Sequence, residues 1–124
     1  MWTFFISTGE MMQPDGTLLA KGYSGDPQYK DDPDAQKLKS QGPIPTGRYG
    51  ITEPVDTAFH GPYCLGLVPD PENAMWGRAG FLIHGDSIDR PGTASEGCII
   101  MPRFARDRIW ESGDHELIVF SSPS

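Results

Sequence analysis

Apolar and polar positions fall into short runs along this chain, with no long helical stripe. Trp2 to Thr8 is aromatic and β-branched, which predicts a strand. Gln13-Pro14-Asp15-Gly16 reads as a turn, and Thr17 to Lys21 as a second strand, the hairpin partner of the first. The polar stretch Gly22 to Lys39 offers one short helix, with Asp32 as cap and Pro33 in its first turn, running through Ala35, Leu38 and Lys39. A rigid turn, Gly42 to Gly47, leads into a strand over Arg48–Thr52, and Pro62–Val68 alternates like another. Gly80–His84 is an apolar run that suits a buried central strand. A polar loop separates it from a second apolar run, Cys98–Met101. Pro102 to Trp110 predicts a helix stopped by Gly113, with Phe104, Ala105, Ile109 and Arg108 on its inner stripe. Glu116–Phe120 is the final strand. The fold expected is mostly β (β+α), a small β sandwich with one or two short helices, as one domain over residues 1–124.

Composition sharpens this picture. Fifteen Gly and 12 Pro among 124 residues favour turns and short elements over a helical bundle. The net charge of -7 repels phosphate backbones, so nucleic acid is not an expected partner. No apolar run exceeds four residues, so no transmembrane helix and no membrane role is expected. The start lacks a basic region and a long apolar core, and a secretory signal peptide is not expected. Two cysteines, Cys64 and Cys98, are too few for a disulfide scaffold, and no CxxC pair suggests zinc.

The segment Phe81–Arg103, FLIHGDSIDRPGTASEGCIIMPR, carries the candidate chemistry. His84 closes one apolar run and Cys98 opens the next, both where a buried run meets a polar loop. A neutral imidazole can take a thiol proton, and the pairing can lower the thiol pKa. Gly97 lets a carbonyl approach, and the amides around Gly97 and Cys98 could form an oxyanion site. Against this stands the structural reading, a buried Cys98 beside Ile99 and Ile100 and a hydrogen-bonded His84. Cys64, inside an apolar alternation, reads as core.

These residues resemble the L,D-transpeptidase catalytic domain of the YkuD type. That domain carries a His, a loop and a [Ser/Thr]-His-Gly-Cys signature, matched here by His84-Gly85 and Ser95-Glu96-Gly97-Cys98. Its Pro-Thr-Gly turn and following strand resemble Pro45-Thr46-Gly47-Arg48-Tyr49-Gly50-Ile51. The chain is more similar still to a type VI secretion effector subfamily with L,D-transpeptidase-like domains, through Ser7-Thr8-Gly9, Gly22-Tyr23-Ser24-Gly25, the Gly42–Gly47 turn and Ser95–Ile99. Glu96 stands where the signature has its second histidine, and Ile100 where the cross-linking enzymes have an arginine.

The resemblance implies a peptidoglycan-modifying antibacterial effector with no cofactor. Cys98 would attack the bond between meso-diaminopimelate and D-alanine in tetrapeptide stems, with His84 as base. Water or a free D-amino acid would then resolve the acyl-enzyme. Ser95 and Asp86 would orient His84 or bind substrate, and Tyr23 and Ser24 would line the cleft. Arg48 and Arg90 are weaker candidates for a stem carboxylate. The implied partners are peptidoglycan stems, an immunity protein and a component of the secretion machine, with delivery from the producer's cytoplasm into a neighbour's periplasm. Two rivals remain. One is a metal hydrolase built on His60, His84, His115 and Asp86, although no recognised ligand spacing is present. The other is a non-enzymatic wall-binding or structural module with a degenerate site.

Overall fold

A computed structural model of the protein describes residues 1–123. Nine strands form one continuous sheet: β1 (Trp2–Phe5), β2 (Glu10–Met12), β3 (Leu18–Lys21), β4 (Tyr23–Ser24), β5 (Gly47–Thr57), β6 (Gly61–Pro69), β7 (Leu82–His84), β8 (Ile99–Ile100) and β9 (Glu116–Phe120). The spatial order is β3-β2-β1-β9-β5-β6-β7-β8-β4. One α-helix, α1 (Arg103–Glu111), follows β8, and a 3-10 turn spans Pro33–Ala35. The mostly β reading holds, and the strands join in a single hydrogen-bonded sheet.

The first hairpin is not the expected one. β2 lies between the two expected strands, just before the Gln13–Gly16 turn, and β3 pairs with β2 instead of β1. β1 pairs on its other side with β9, in parallel, Trp2 opposite Leu117. The helix expected from Pro33 stops after three residues; Asp32 caps it as anticipated, its carboxylate accepting from the Asp34 amide.

One face of the sheet carries the core: Trp2, Phe4, Ile51, Leu65, Ile83, Ile99, Leu117 and Val119 pack under α1. Each such side chain contributes roughly 1.5–3 kcal/mol by leaving water. Helix α1 presents Ala105, Arg106 and Ile109 inward, while Phe104 is 58 % exposed. Residues 105 and 109 share a stripe at i, i+4, and Phe104 lies about 100° away from Ala105 around the helix, which turns it to solvent.

Candidate active site

The pairing of β6, β7 and β8 decides which side chains meet. β7 and β8 run parallel, with Ile83 opposite Ile99 and His84 opposite Ile100. Extending that register by one residue sets Cys98 opposite Leu82. Successive side chains alternate between faces, so Ile83 and Ile99 enter the core while His84 and Cys98 emerge together on the other face. They are offset by two positions along adjacent strands, a diagonal pair some 7–8 Å apart at the backbone. Both line one cleft of about 560 Å³.

His84 is buried, and its ring orientation is set by its own neighbour. Nδ1 lies 2.8 Å from the Gly85 carbonyl, which accepts its proton. That tautomer leaves Nε2 as the unprotonated nitrogen, and Nε2 is the one buried side-chain nitrogen or oxygen among the described residues with no hydrogen-bond partner. Burial pushes the imidazole pKa below its ordinary value, and the nearby His60 and Arg106 act in the same direction. His84 is therefore a neutral base with a free lone pair.

Cys98 is not an ion-pair partner at rest. Its thiol faces the Gly80 carbonyl at 4.0 Å and accepts from the Leu82 amide at 3.3 Å. Burial raises its pKa to about 11; Cys64 and Glu96 add to the rise, and the Leu82 amide and Arg78 oppose it. The expected lowering by His84 is absent because the two groups are not hydrogen-bonded and desolvation dominates. The resting pair is thiol and neutral imidazole.

The other expected site residues hold the cysteine turn from behind. Gly97 has φ +141°, and an added Cβ would lie 2.5 Å from the Arg78 guanidinium, so only glycine fits. Ser95 Oγ donates to the Cys98 carbonyl at 2.6 Å and accepts from the amides of Gly25 and Gly97. That use of the Gly97 amide removes it from the expected oxyanion site. Ser24 Oγ donates to the Gly97 carbonyl at 2.9 Å and accepts from the Ile44 amide. Ser24 and Ser95 are buried braces and do not line the cleft. Tyr23 donates to Asp86 at 2.6 Å and accepts from the Ala94 amide. Asp86 also accepts from the amides of Ser87 and Gly92. It lines the cleft, but its carboxylate organises the loop over residues 86–94; the Gly85 carbonyl, not Asp86, orients His84. Arg48, Arg90 and Arg103 lie outside the cleft lining. Cys64 is buried on β6, as expected, but next to His84 and outside the apolar core cluster.

Residues 19–117 match the family model of the Tlde1 domain. The chain belongs to the Tlde1 domain family. Its members are type VI secretion effectors. No curated protein and no solved structure matches the chain.

Three residues of this Tlde1 domain, Arg78, Arg106 and Phe59, escaped the sequence reading, and a fourth, His60, was weighed there only as a metal ligand. Arg78 is buried and donates to the carbonyls of Gln36, Gly42, Pro43 and Glu96. It also lies over the Phe81 ring, 5.2 Å from its centroid. Arg106 is buried and donates to the carbonyls of Pro62, Tyr63 and Met101. Neither has a carboxylate partner among the described residues, so no charge pattern in the sequence marks them. His60 packs its ring against His84 at 4.4 Å between centroids, and Phe59 stands edge-on to His60 at 5.0 Å. Both line the cleft.

Proposed function

We propose that this Tlde1 domain is a cysteine L,D-carboxypeptidase and L,D-transpeptidase acting on peptidoglycan tetrapeptide stems. The observation that carries the proposal is the unpartnered, buried Nε2 of His84 on the same face of one cleft as the Cys98 thiol. Catalytic hydrogen bonds tighten around bound substrate, so the looser resting pair is compatible with general-base activation. In this reading His84 takes the thiol proton as Sγ attacks the carbonyl between meso-diaminopimelate and D-alanine. The Cys98 amide is left as the oxyanion donor, because the Gly97 amide is already committed to Ser95. His84 returns the proton to the departing amine. Water then gives the carboxypeptidase product, and a free D-amino acid gives exchange. The similarity to the YkuD-type signature in His84-Gly85 and Ser95–Cys98 supports the choice of substrate. The same reading makes the protein an antibacterial effector delivered into a neighbour's periplasm, neutralised in the producer by an immunity protein.

The test is mass spectrometry of purified tetrapeptide muropeptides incubated with the protein, with and without a free D-amino acid, beside Cys98→Ala. Loss or replacement of one D-alanine with the wild type alone supports the proposal. Unchanged masses with folded, reduced protein would overturn it. The high thiol pKa favours one rival, a wall-binding module with an inert site; it requires Cys98 to alkylate no faster than Cys64.

A further inference from the structure

The cleft has a direction. β7 and β8 run parallel, and Cys98 stands level with Leu82, two positions before His84. β6 runs the opposite way, with Leu65 opposite Ile83, so its start at Gly61 extends beyond His84. Phe59 and His60, just before Gly61, therefore stand past His84. Arg78 and Gly80, just before β7, stand on the far side of Cys98, and the loop that Arg78 clamps brings Lys39 to the same end. The order along the cleft is Lys39 and Arg78, then Cys98, then His84, then His60 and Phe59.

From this order we infer that the Phe59–His60 hairpin tip forms the subsite for the leaving residue and for the amino acid that replaces it, and that it selects apolar, above all aromatic, side chains. The inference rests on the reaction proposed above. In acylation the Sγ–C bond forms, the C–N bond breaks, and the thiol proton passes through His84 to the departing nitrogen. That nitrogen must lie within reach of His84, hence on the His84 side of Cys98. The acyl half then runs toward Lys39. In exchange a neutral amine enters from the side the first one left. Its nitrogen bonds to the thioester carbon, the C–S bond breaks, and the amine proton returns through His84 to sulfur.

The wall at that end is built to meet a side chain. Phe59 is 88 % exposed although it is a large aromatic residue. It is not an isolated surface residue, because its ring stands on His60, which in turn packs on His84. The tip is also preorganised. The His60 amide donates to Thr57 Oγ1 at 2.7 Å, and Arg106 grips the carbonyls of Pro62 and Tyr63. A rigid aromatic surface costs little ordering on binding. An apolar side chain laid on it gains contact area, and an aromatic one adds edge or face packing.

The experiment is a competition for exchange on a tetrapeptide donor between D-phenylalanine and D-alanine, read as the ratio of the two products by mass spectrometry. Wild type, Phe59→Ala and Lys39→Ala are compared. The wild type is expected to favour D-phenylalanine, and Phe59→Ala to lower that ratio about tenfold, the scale of a lost apolar contact in a pocket. Lys39→Ala is expected to raise KM for the donor and to leave the acceptor ratio unchanged. Two results would overturn the assignment alone: active enzyme whose ratio does not move in Phe59→Ala, or a ratio that moves in Lys39→Ala instead. No exchange by the wild type would sink the underlying reaction, and the assignment with it.

Discussion

The two ends of the cleft are fixed in the same way and serve opposite electrostatic purposes. At one end Arg78 gathers four backbone carbonyls from the loop over residues 36–43 and from Glu96. At the other Arg106 gathers three, from the β5–β6 hairpin side and from Met101. A guanidinium presents several donors in a rigid fork, so one buried cation can order irregular backbone that has no strand partner. The difference lies in what each charge faces. Arg78 sits near the thiol and favours its ionised form, while Arg106 sits near the imidazole and disfavours its protonated form. Arg78 thus eases loss of the thiol proton, and Arg106 keeps the base empty until that proton arrives.

The sharpest way to separate the ends is to remove the reacting groups. Cys98→Ala and His84→Ala should each lower turnover by about a thousandfold or more, since neither nucleophile nor base has a substitute. They should differ under iodoacetamide, with His84→Ala still labelled at residue 98 and Cys98→Ala not. Equal labelling of the two variants would show that Cys98 is not the accessible thiol.

Next come the clamps. Arg78→Met and Arg106→Met should each cost at least about 3 kcal/mol in urea unfolding, because several buried carbonyls lose their donor at about 1–3 kcal/mol apiece. Their pH profiles should diverge. Losing Arg78 removes a charge that lowers the thiol pKa, so the rise of Cys98 alkylation with pH moves upward from about 11. Losing Arg106 removes a charge that lowers the His84 pKa, so the acid limb of kcat/KM moves to higher pH. In the wild type that limb should fall below the ordinary histidine value of 6.5, since the depressed pKa keeps the base neutral to lower pH. A wild-type limb above 6.5 would contradict this account.

Glycine replacements give a graded version of the same contrast. Gly97→Ala drives a Cβ to 2.5 Å from Arg78 at a φ of +141°, and about 2–4 kcal/mol should be lost. Gly85→Ala meets Arg106 at 3.0 Å without a positive φ, and about 1 kcal/mol is expected. The smallest change should come from Tyr23→Phe, which removes one hydroxyl holding Asp86 and the Ala94 amide, at about 0.5 kcal/mol. Thermal melts under one buffer would rank the three.

Local sequence marked the candidate pair, because His84 and Cys98 each mark the edge of an apolar run. Tyr23, Ser24, Ser95 and Asp86 were visible as parts of the site, but their roles were not. Ser24 and Ser95 spend their hydroxyls on backbone, Tyr23 and Asp86 bond each other as well as backbone, and which group each meets depends on contacts across as many as 73 residues. Arg78 and Arg106 were invisible for the same reason, reaching carbonyls about 40 positions away with no acidic partner to betray them. His60 was read only as a metal-ligand candidate, and its packing on His84 was missed because that ring lies 24 positions on, brought close by the β6–β7 pairing. Among the elements, β5 to β9 and α1 followed hydrophobic period and turn chemistry. The N-terminal pairing did not, since β1 chooses the distant β9 over its neighbour β3.

That choice has a bearing on synthesis. β9 is the strand hydrogen-bonded between β1 and β5, while the other end of the meander runs through Gly22 into β4 on β8. A ribosome making this chain releases the meander first and must hold it, with β1 unpaired on its β9 side, until residues 116–120 emerge. The early strands have an open edge throughout that interval, and long-range parallel pairing closes slowly. A stalled or shortened nascent chain lacking β9 would leave the facing edges of β1 and β5 unpaired, so quality control during translation falls on the arrival of one five-residue strand.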